Sequence, residues 1–385
     1  MKKNRDFQAK EIRKDAYSML KKFEVKGFKG FKDLLVFDLV SHDYEFNSEL
    51  IKNGIVNKAL VYGKNSVGKS NLGIGMFDII SHMTDKERMQ QHYLWNYRNY
   101  DSNAREVFFR YTFQFDGDEV VYSYRKIDQD NLVDESLVVN GIVKLSYNYF
   151  KRSGNFISKE LQGDLNINLI DNRLSIVKYL YRNIPTDKIP YLTKLGQFCE
   201  NMLWYRSLSD GNTYSGFTNG RGTLTEKLYS SGKVKEFQEF LHENGIDYDL
   251  EFKNVNGAHE LYVVFEGQKA PFVGIASTGT MALLLYFVWS VEAFDKISLL
   301  FIDEFDAFFH YESAANIVNR LNKATKFQTI LTSHNTYLMQ NRLTRPDCCY
   351  IMTKNKITSL RDATDKEIRE AHNLEKMYIN GAFSE

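Results

Sequence analysis

Proline is almost absent from this chain: Pro185, Pro190, Pro271 and Pro346 are the only four in 385 residues. No proline-rich linker can be drawn, and no low-complexity tract or internal repeat breaks the sequence. Cysteine is as scarce, and Cys199, Cys348 and Cys349 show no C-x-x-C spacing, which speaks against a zinc ribbon or a disulfide framework and suits a reducing compartment. All three read as small buried apolar residues. Long hydrophobic runs are missing too. The longest, "MALLLYFVWSV" at 281–291, has 11 residues, against the roughly 20 that cross a bilayer, so no membrane partner is expected. Charge of one sign is not in excess: 50 Lys and Arg face 49 Asp and Glu, a net charge of +1, and the field of the whole molecule selects no nucleic acid. The first twenty residues mix Lys and Arg with Asp6, Glu11 and Asp15 and lack the apolar stretch of a secretory signal, which leaves the cytoplasm as the expected location.

What is present is an ordinary globular composition, 43% hydrophobic, 14% aromatic and 26% charged. The length exceeds the roughly 250 to 300 residues of a single core, so one large domain with an insertion, or two domains, is expected. "FEVKGFKGFKDLLVFDL" (23–39) reads as two strands about a glycine turn. "EVFFRYTFQFDGDEVVYSYRK" (106–126) reads as a hairpin through Asp116-Gly117. From 165 to 245 the periodicity turns helical, in "NRLSIVKYLYRNI", "IPYLTKLGQFCENMLWY" and "GKVKEFQEFLHENG". Beyond it lie strands at 261–267, 297–302 and 328–333, with helices at 279–293 and 311–324 between them. Fully apolar strands alternating with helices imply a parallel sheet covered on both faces, an α/β fold.

The stretch "VYGKNSVGKSNLGIGMFDII" (61–80) joins a short apolar run to a glycine-rich turn and a patterned helix. The turn is G-x-x-x-x-G-K-S. Gly63 and Gly68 clear side chains from backbone N–H groups that can then curl about an anion, with Lys64, Asn65, Ser66 and Val67 between them and Asn71 just beyond. Lys69 would reach the β- and γ-phosphates of ATP, and Ser70 would hold Mg2+. The phosphates would also meet the positive end of a helix.

A second signal is "LLFIDEFDAFFH" (299–310), which ends a buried strand on Asp303 and Glu304. Two adjacent acids there are costly without a cation or water to bind. Asp303 reads as a ligand of the Mg2+ shared with Ser70, and Glu304 as the group that polarises the attacking water. One strand on, "TILTSHNTYLM" (329–339) leaves Thr332, Ser333, His334 and Asn335 at a strand tip, where His334 can hydrogen-bond the γ-phosphate. In "VGIASTGTMALLLYFVW" (273–289), Ser277 and Gly279 open a strongly apolar helix with unpaired N–H groups. One chain cannot easily aim two such anion sites at one phosphate. Two copies can, with each ATP lying between the glycine turn of one and Ser277-Gly279 of the other.

The order of these motifs resembles the ABC-type ATPases. "YGKNSVGKSNL", "ASTGTMALL", "LLFIDEFDAFFH" and "TILTSHNTYLM" are most similar to the compact, non-transporter branch that holds RecF, SMC proteins, OLD-type proteins and the bacterial abortive-infection ATPases. "FEVKGFKGFKDLLVF" and "HNLEKMYINGAF" also resemble the last group. The resemblance implies an ABC-type head with a mixed sheet, helices on both faces and a helical insertion lobe. It divides the chain into a charged extension (1–20), a core lobe with the P-loop (21–135), a mainly helical insertion (136–260), a core with signature, Walker B and histidine switch (261–362) and a tail (363–385). It further implies a homodimer or higher homo-oligomer around two ATPs, slow hydrolysis, and a switch controlling a separate effector, a nuclease or toxin, in antiphage defence. The residues after 336 are too few for a nuclease domain of their own. The alternative is a RecF/SMC-like clamp on DNA, for which the basic excess at Lys2, Lys3, Arg5, Lys10, Arg13 and Lys14 and the aromatic-basic stretch "HYLWNYRNY" (92–100) would have to serve. Gln90, Gln91 and Gln114 compete for the Q-loop position, and Asp306 and His310 for the D-loop.

Overall fold

The computed structural model describes residues 17–156, 171–185, 188–207, 213–218 and 222–383. The basic leader residues and part of the expected insertion, 157–170, lie outside these. Two seven-stranded sheets organise the rest. The first is antiparallel throughout and runs, from one edge, Ser153–Phe156, Ile142–Asn148, Leu132–Val139, Asp118–Lys126, Val107–Phe115, Ser18–Lys26, Leu35–Asp38. Its strands alternate buried and half-buried residues along their length, as a sheet with one covered face should.

The second sheet runs Tyr214–Gly216, Met202–Arg206, Leu299–Asp303, Gln328–Ser333, Lys58–Tyr62, Cys349–Met352, Ile357–Ser359. Its five inner strands are parallel and its two edges antiparallel. Every residue of Leu299–Asp303, Gln328–Ser333 and Lys58–Tyr62 is buried, because side chains of period two reach covered faces on both sides. Leu299 and Phe301 join the core shared with the first sheet, while Leu300 and Ile302 join the core on the far side. The helix Lys69–Met76 lies against the first of these faces. It comes close enough that a Cβ on Gly73 would stand 2.6 Å from Phe301 Cε1. The helices Thr278–Glu292 and Tyr311–Lys323 contribute to the core on the far face, and burial of all eight residues 282–289 explains why the first of them is apolar nearly all round.

Residues 136–260, expected to be mainly helical, hold strands as well: the rest of Leu132–Val139, then Ile142–Asn148, Ser153–Phe156, Met202–Arg206, Tyr214–Gly216, Asp249–Val255 and part of Ala258–Phe265. The helical reading of "IPYLTKLGQFCENMLWY" is half corrected. Pro190–Glu200 is a helix, ended at Asn201, but Met202–Arg206 is a buried strand beside Leu299–Asp303. Its bulky apolar residues pair with a strand about a hundred positions away, and that burial overrides the local helical period. Cys199, Cys348 and Cys349 are free and buried, as expected. Among the described residues no helix is long and apolar enough to cross a membrane.

A buried ion pair ties the first sheet to the helices that follow the glycine turn. Lys126 of the first sheet donates to Asp78 Oδ2 at 2.7 Å, and the hydroxyls of Tyr97 and Tyr124 reach Asp78 Oδ1 and Oδ2 at 2.7 and 2.9 Å. Asp78 opens the short helix Asp78–Met83 that follows the helix of the glycine turn.

Candidate functional site

Parallel strands deliver their carboxyl ends to one edge of a sheet, so segments far apart in sequence meet there. Register pairs Tyr62, which enters the glycine turn, with Ser333, and Asp303 with Arg206. Two positions in the turn are left-handed, Ser66 at φ 65° and Gly68 at φ 112°. Packing constrains both glycines as well: a Cβ on Gly63 would stand 2.7 Å from Val67 Cγ2 and 2.8 Å from the Met352 carbonyl, and one on Gly68 would stand 2.9 Å from Phe31 Cε1. Lys64, Asn65 and Ser66 are exposed, while Val67, Ser70 and Asn71 are half-buried. Lys69 is buried and donates to the carbonyls of Gly63 at 2.6 Å and Lys64 at 3.2 Å. Burial pushes its pKa down, opposed by the charges of Asp303, Glu304 and Asp306.

Asp303 is fully buried. Burial raises its pKa, while the Ser70 and Thr332 hydroxyls and the Arg206 charge pull it back. Its Oδ1 accepts from Thr332 Oγ1 at 2.7 Å. Its Oδ2 has no hydrogen-bond partner and lies 3.7 Å from Arg206 Nε. A buried carboxylate oxygen with no hydrogen bond is costly, and a carboxylate that a serine hydroxyl reaches suits a hard divalent cation such as Mg2+, which takes one or two protein oxygens and fills its shell with phosphate and water. Asp303 and Ser70 therefore fit that ion. Among the described residues no group of three or more His, Cys, Asp or Glu gathers to hold a metal unaided.

Glu304 turns off the strand in the left-handed region, at φ 51°. Its N–H donates to Thr332 Oγ1 at 2.8 Å, so one hydroxyl fixes both acids. Its Oε2 accepts from Arg206 Nε at 3.1 Å and from Arg206 Nη2. His334 is exposed just past its strand. Asp306, buried, accepts from Ser333 Oγ at 2.7 Å; burial raises its pKa, and the Ser333 hydrogen bond and then the His334 charge lower it. Ser277 is exposed and caps the helix Thr278–Glu292, accepting from the Thr280 N–H at 3.1 Å. A Cβ on Gly279 would stand 2.7 Å from the Phe308 carbonyl, so close packing against the segment after the acid pair accounts for that glycine.

Lys69, Ser70, Asp303 and Glu304 thus meet at one sheet edge, and the contacts of Ser277 and Gly279 lie with Thr280 and Phe308. Gln90, Gln91 and Gln114 end no parallel strand: the Gln90 amide reaches Thr213 Oγ1 at 3.3 Å, Gln91 starts a short helix and Gln114 lies in the first sheet. Sequence reasoning missed Arg206, whose place beside Asp303 depends on a strand pairing that no local pattern announces. It also named Thr332 without its role.

Among solved structures the chain is similar to "Crystal structure of the SmcHead bound to the C-winged helix domain of ScpA" (14% identity, 89% of this chain and 97% of that one, TM-score 0.44). It is similar also to "SMC head domain from Thermotoga maritima" (12%, 88% and 98%, 0.42) and to "Structure of the recombination mediator protein RecF-ATP in RecFOR pathway" (14%, 90% and 100%, 0.39). Comparison with curated proteins found no match. A family model described as "AAA domain, putative AbiEii toxin, Type IV TA system" matches residues 58–340, a span that opens with the P-loop strand and closes just past His334, and the chain belongs to that family of P-loop ATPases.

Proposed function

We propose that this chain is a Mg2+-dependent ATPase of the ABC type that works as a nucleotide-controlled switch. The observation that carries the reading is the buried Asp303 carboxylate, whose Oδ2 has no hydrogen bond and which the Ser70 hydroxyl and the Lys69 charge both reach, with Glu304 one residue on. Lys69, now spent on the carbonyls of its own loop, would exchange them for phosphate oxygens. Ser70 and Asp303 would hold the Mg2+, which supplies charge neutralisation at the phosphates. Glu304 would orient water and accept its proton, and His334 would donate toward the terminal phosphate. The exposed helix start at Ser277 is free to serve a second copy's nucleotide, so the active form is a dimer around two ATPs. We read its effector as a separate nuclease or toxin in antiphage defence, a reading that the family's description, which names a toxin of a type IV TA system, supports.

The test is ATP turnover. Glu304→Gln should lower it on the order of 10²- to 10⁴-fold, the usual contribution of a general base, with ATP affinity kept within a few-fold. Ser277→Arg should leave ATP binding intact and stop both turnover and ATP-driven dimerisation, read by light scattering. Undiminished hydrolysis in either variant would end the assignment it tests.

A further inference from the structure

Arg206 is a cation that the proposed mechanism does not use, and it stands where the mechanism is most sensitive. It ends the parallel strand Met202–Arg206, in register with Asp303. The next residue, Ser207, donates its N–H to the Asp303 carbonyl at 3.2 Å, which pins the strand tip. The guanidinium reaches both acids, binding Glu304 Oε2 through Nε and Nη2 and standing 3.7 Å from the unpaired Asp303 Oδ2. With side-chain exposures of 28% for Arg206 and 34% for Glu304, against 0% for Asp303, the pair sits at the mouth of the site and not in the core.

Two consequences follow. Two guanidinium N–H groups occupy Glu304 Oε2, so that oxygen is closed to a water until the guanidinium leaves. A fixed positive charge beside Asp303 also opposes any cation arriving there. The arrangement neutralises the acid pair only while no metal is present.

We propose that Arg206 is a latch: without nucleotide its guanidinium occupies the acid pair and keeps Glu304 idle, and the cation that arrives with the nucleotide must displace it. Arg206 is a positioning residue in this scheme, acting on the reaction through Glu304 and Asp303. The proposal rests on the metal assignment above for its purpose, though the competition it describes needs no nucleotide.

Mn2+ titrated into the nucleotide-free full-length protein, read by electron paramagnetic resonance, tests the competition directly. Arg206→Ala should tighten Mn2+ binding on the order of tenfold, Arg206→Gln should match it, and Arg206→Lys, which keeps the charge, should stay near wild type. The melting temperature of the two neutral variants should fall without metal and recover with Mn2+, because two acids are left facing each other. Mn2+ affinity equal to or weaker than wild type in the neutral variants, or a Lys variant that behaves like them, overturns the latch. An ATP titration of the wild type separates the two readings: Mn2+ effects as expected with no ATP bound would leave the latch standing and remove the ATPase assignment.

Discussion

Lys58 offers a measurement whose sign and size both come from the structure. It begins the P-loop strand, is 5% exposed, and donates from Nζ to the Phe327 carbonyl at 2.7 Å and to Thr329 Oγ1 at 3.0 Å. Neither acceptor carries a formal charge, so burial brings its pKa from 10.5 to about 7, with a small further push from Lys52. Between these values the unfolded chain binds a proton that the folded chain does not. Stability therefore rises with pH across that window and is flat below it. At about 1.4 kcal/mol per pKa unit, folding with this lysine costs roughly 5 kcal/mol at pH 6 and roughly 2 at pH 9. Buried tyrosines and cysteines work in the opposite direction near the alkaline end, so the quantity to measure is the difference between wild type and Lys58→Met. Methionine keeps the volume and loses two hydrogen bonds, a penalty that does not change with pH. Urea unfolding of both proteins at pH 6, 7.5 and 9 should show the wild type gaining about 2 to 3 kcal/mol relative to the variant. A difference that stays flat within about 0.5 kcal/mol would refute the burial argument.

Lys126→Met leaves Asp78 as a buried charge held by two phenols, and should cost about 3 to 5 kcal/mol in the same unfolding assay; Lys126→Met with Asp78→Leu should recover most of the loss, and equal stability of the single and double variants would refute the pairing. Gly73→Ala drives a methyl against Phe301 and the Trp204 indole, 2.6 and 2.9 Å away, so overpacking of about 1 to 3 kcal/mol should exceed the roughly 1 kcal/mol of helix propensity gained, and a stabilised variant would contradict that contact. Lys69→Ala should abolish ATP binding by calorimetry while leaving the fold intact, and retained affinity would show that the glycine turn does not bind nucleotide.

The parts of this molecule that could be read from sequence are those whose cause is local. The glycine turn between an apolar strand and a helix needs left-handed positions and missing side chains within a few residues, and Ser66 and Gly68 supply the first. The Asp116-Gly117 hairpin likewise carries its own turn chemistry, and the pairing runs from Val107–Lys126 to Phe115–Asp118 as the alternation implies. Asp303 and Glu304 announced themselves because acids at the end of an apolar run are expensive wherever that run is buried. At three of the glycines singled out, a constraint acts that sequence did not suggest. Phe31, Met352 and Phe308 fill the space a side chain would need at Gly68, Gly63 and Gly279, so these positions are dictated by the folded chain as much as by any phosphate.

What stayed hidden depends on pairings that only the fold creates. Met202–Arg206 follows directly on a true helix, shares its apolar character and has no turn residue stronger than Asn201 to mark the change. Nothing local distinguishes a buried strand of five residues from one more helical turn, because both need only apolar side chains. The difference comes from Leu299–Asp303, whose free edge must be paired, and Met202–Arg206 meets that need in parallel. Once that pairing exists, the side chain at position 206 is carried to the acid pair whatever its chemistry. The residue that ends the strand beside Asp303 is an arginine that reaches both carboxylates. If that geometry governs the resting site, the order of events at the sheet edge is fixed by charge: the cation must win Asp303 before Glu304 can act, and hydrolysis waits on the site being fully loaded.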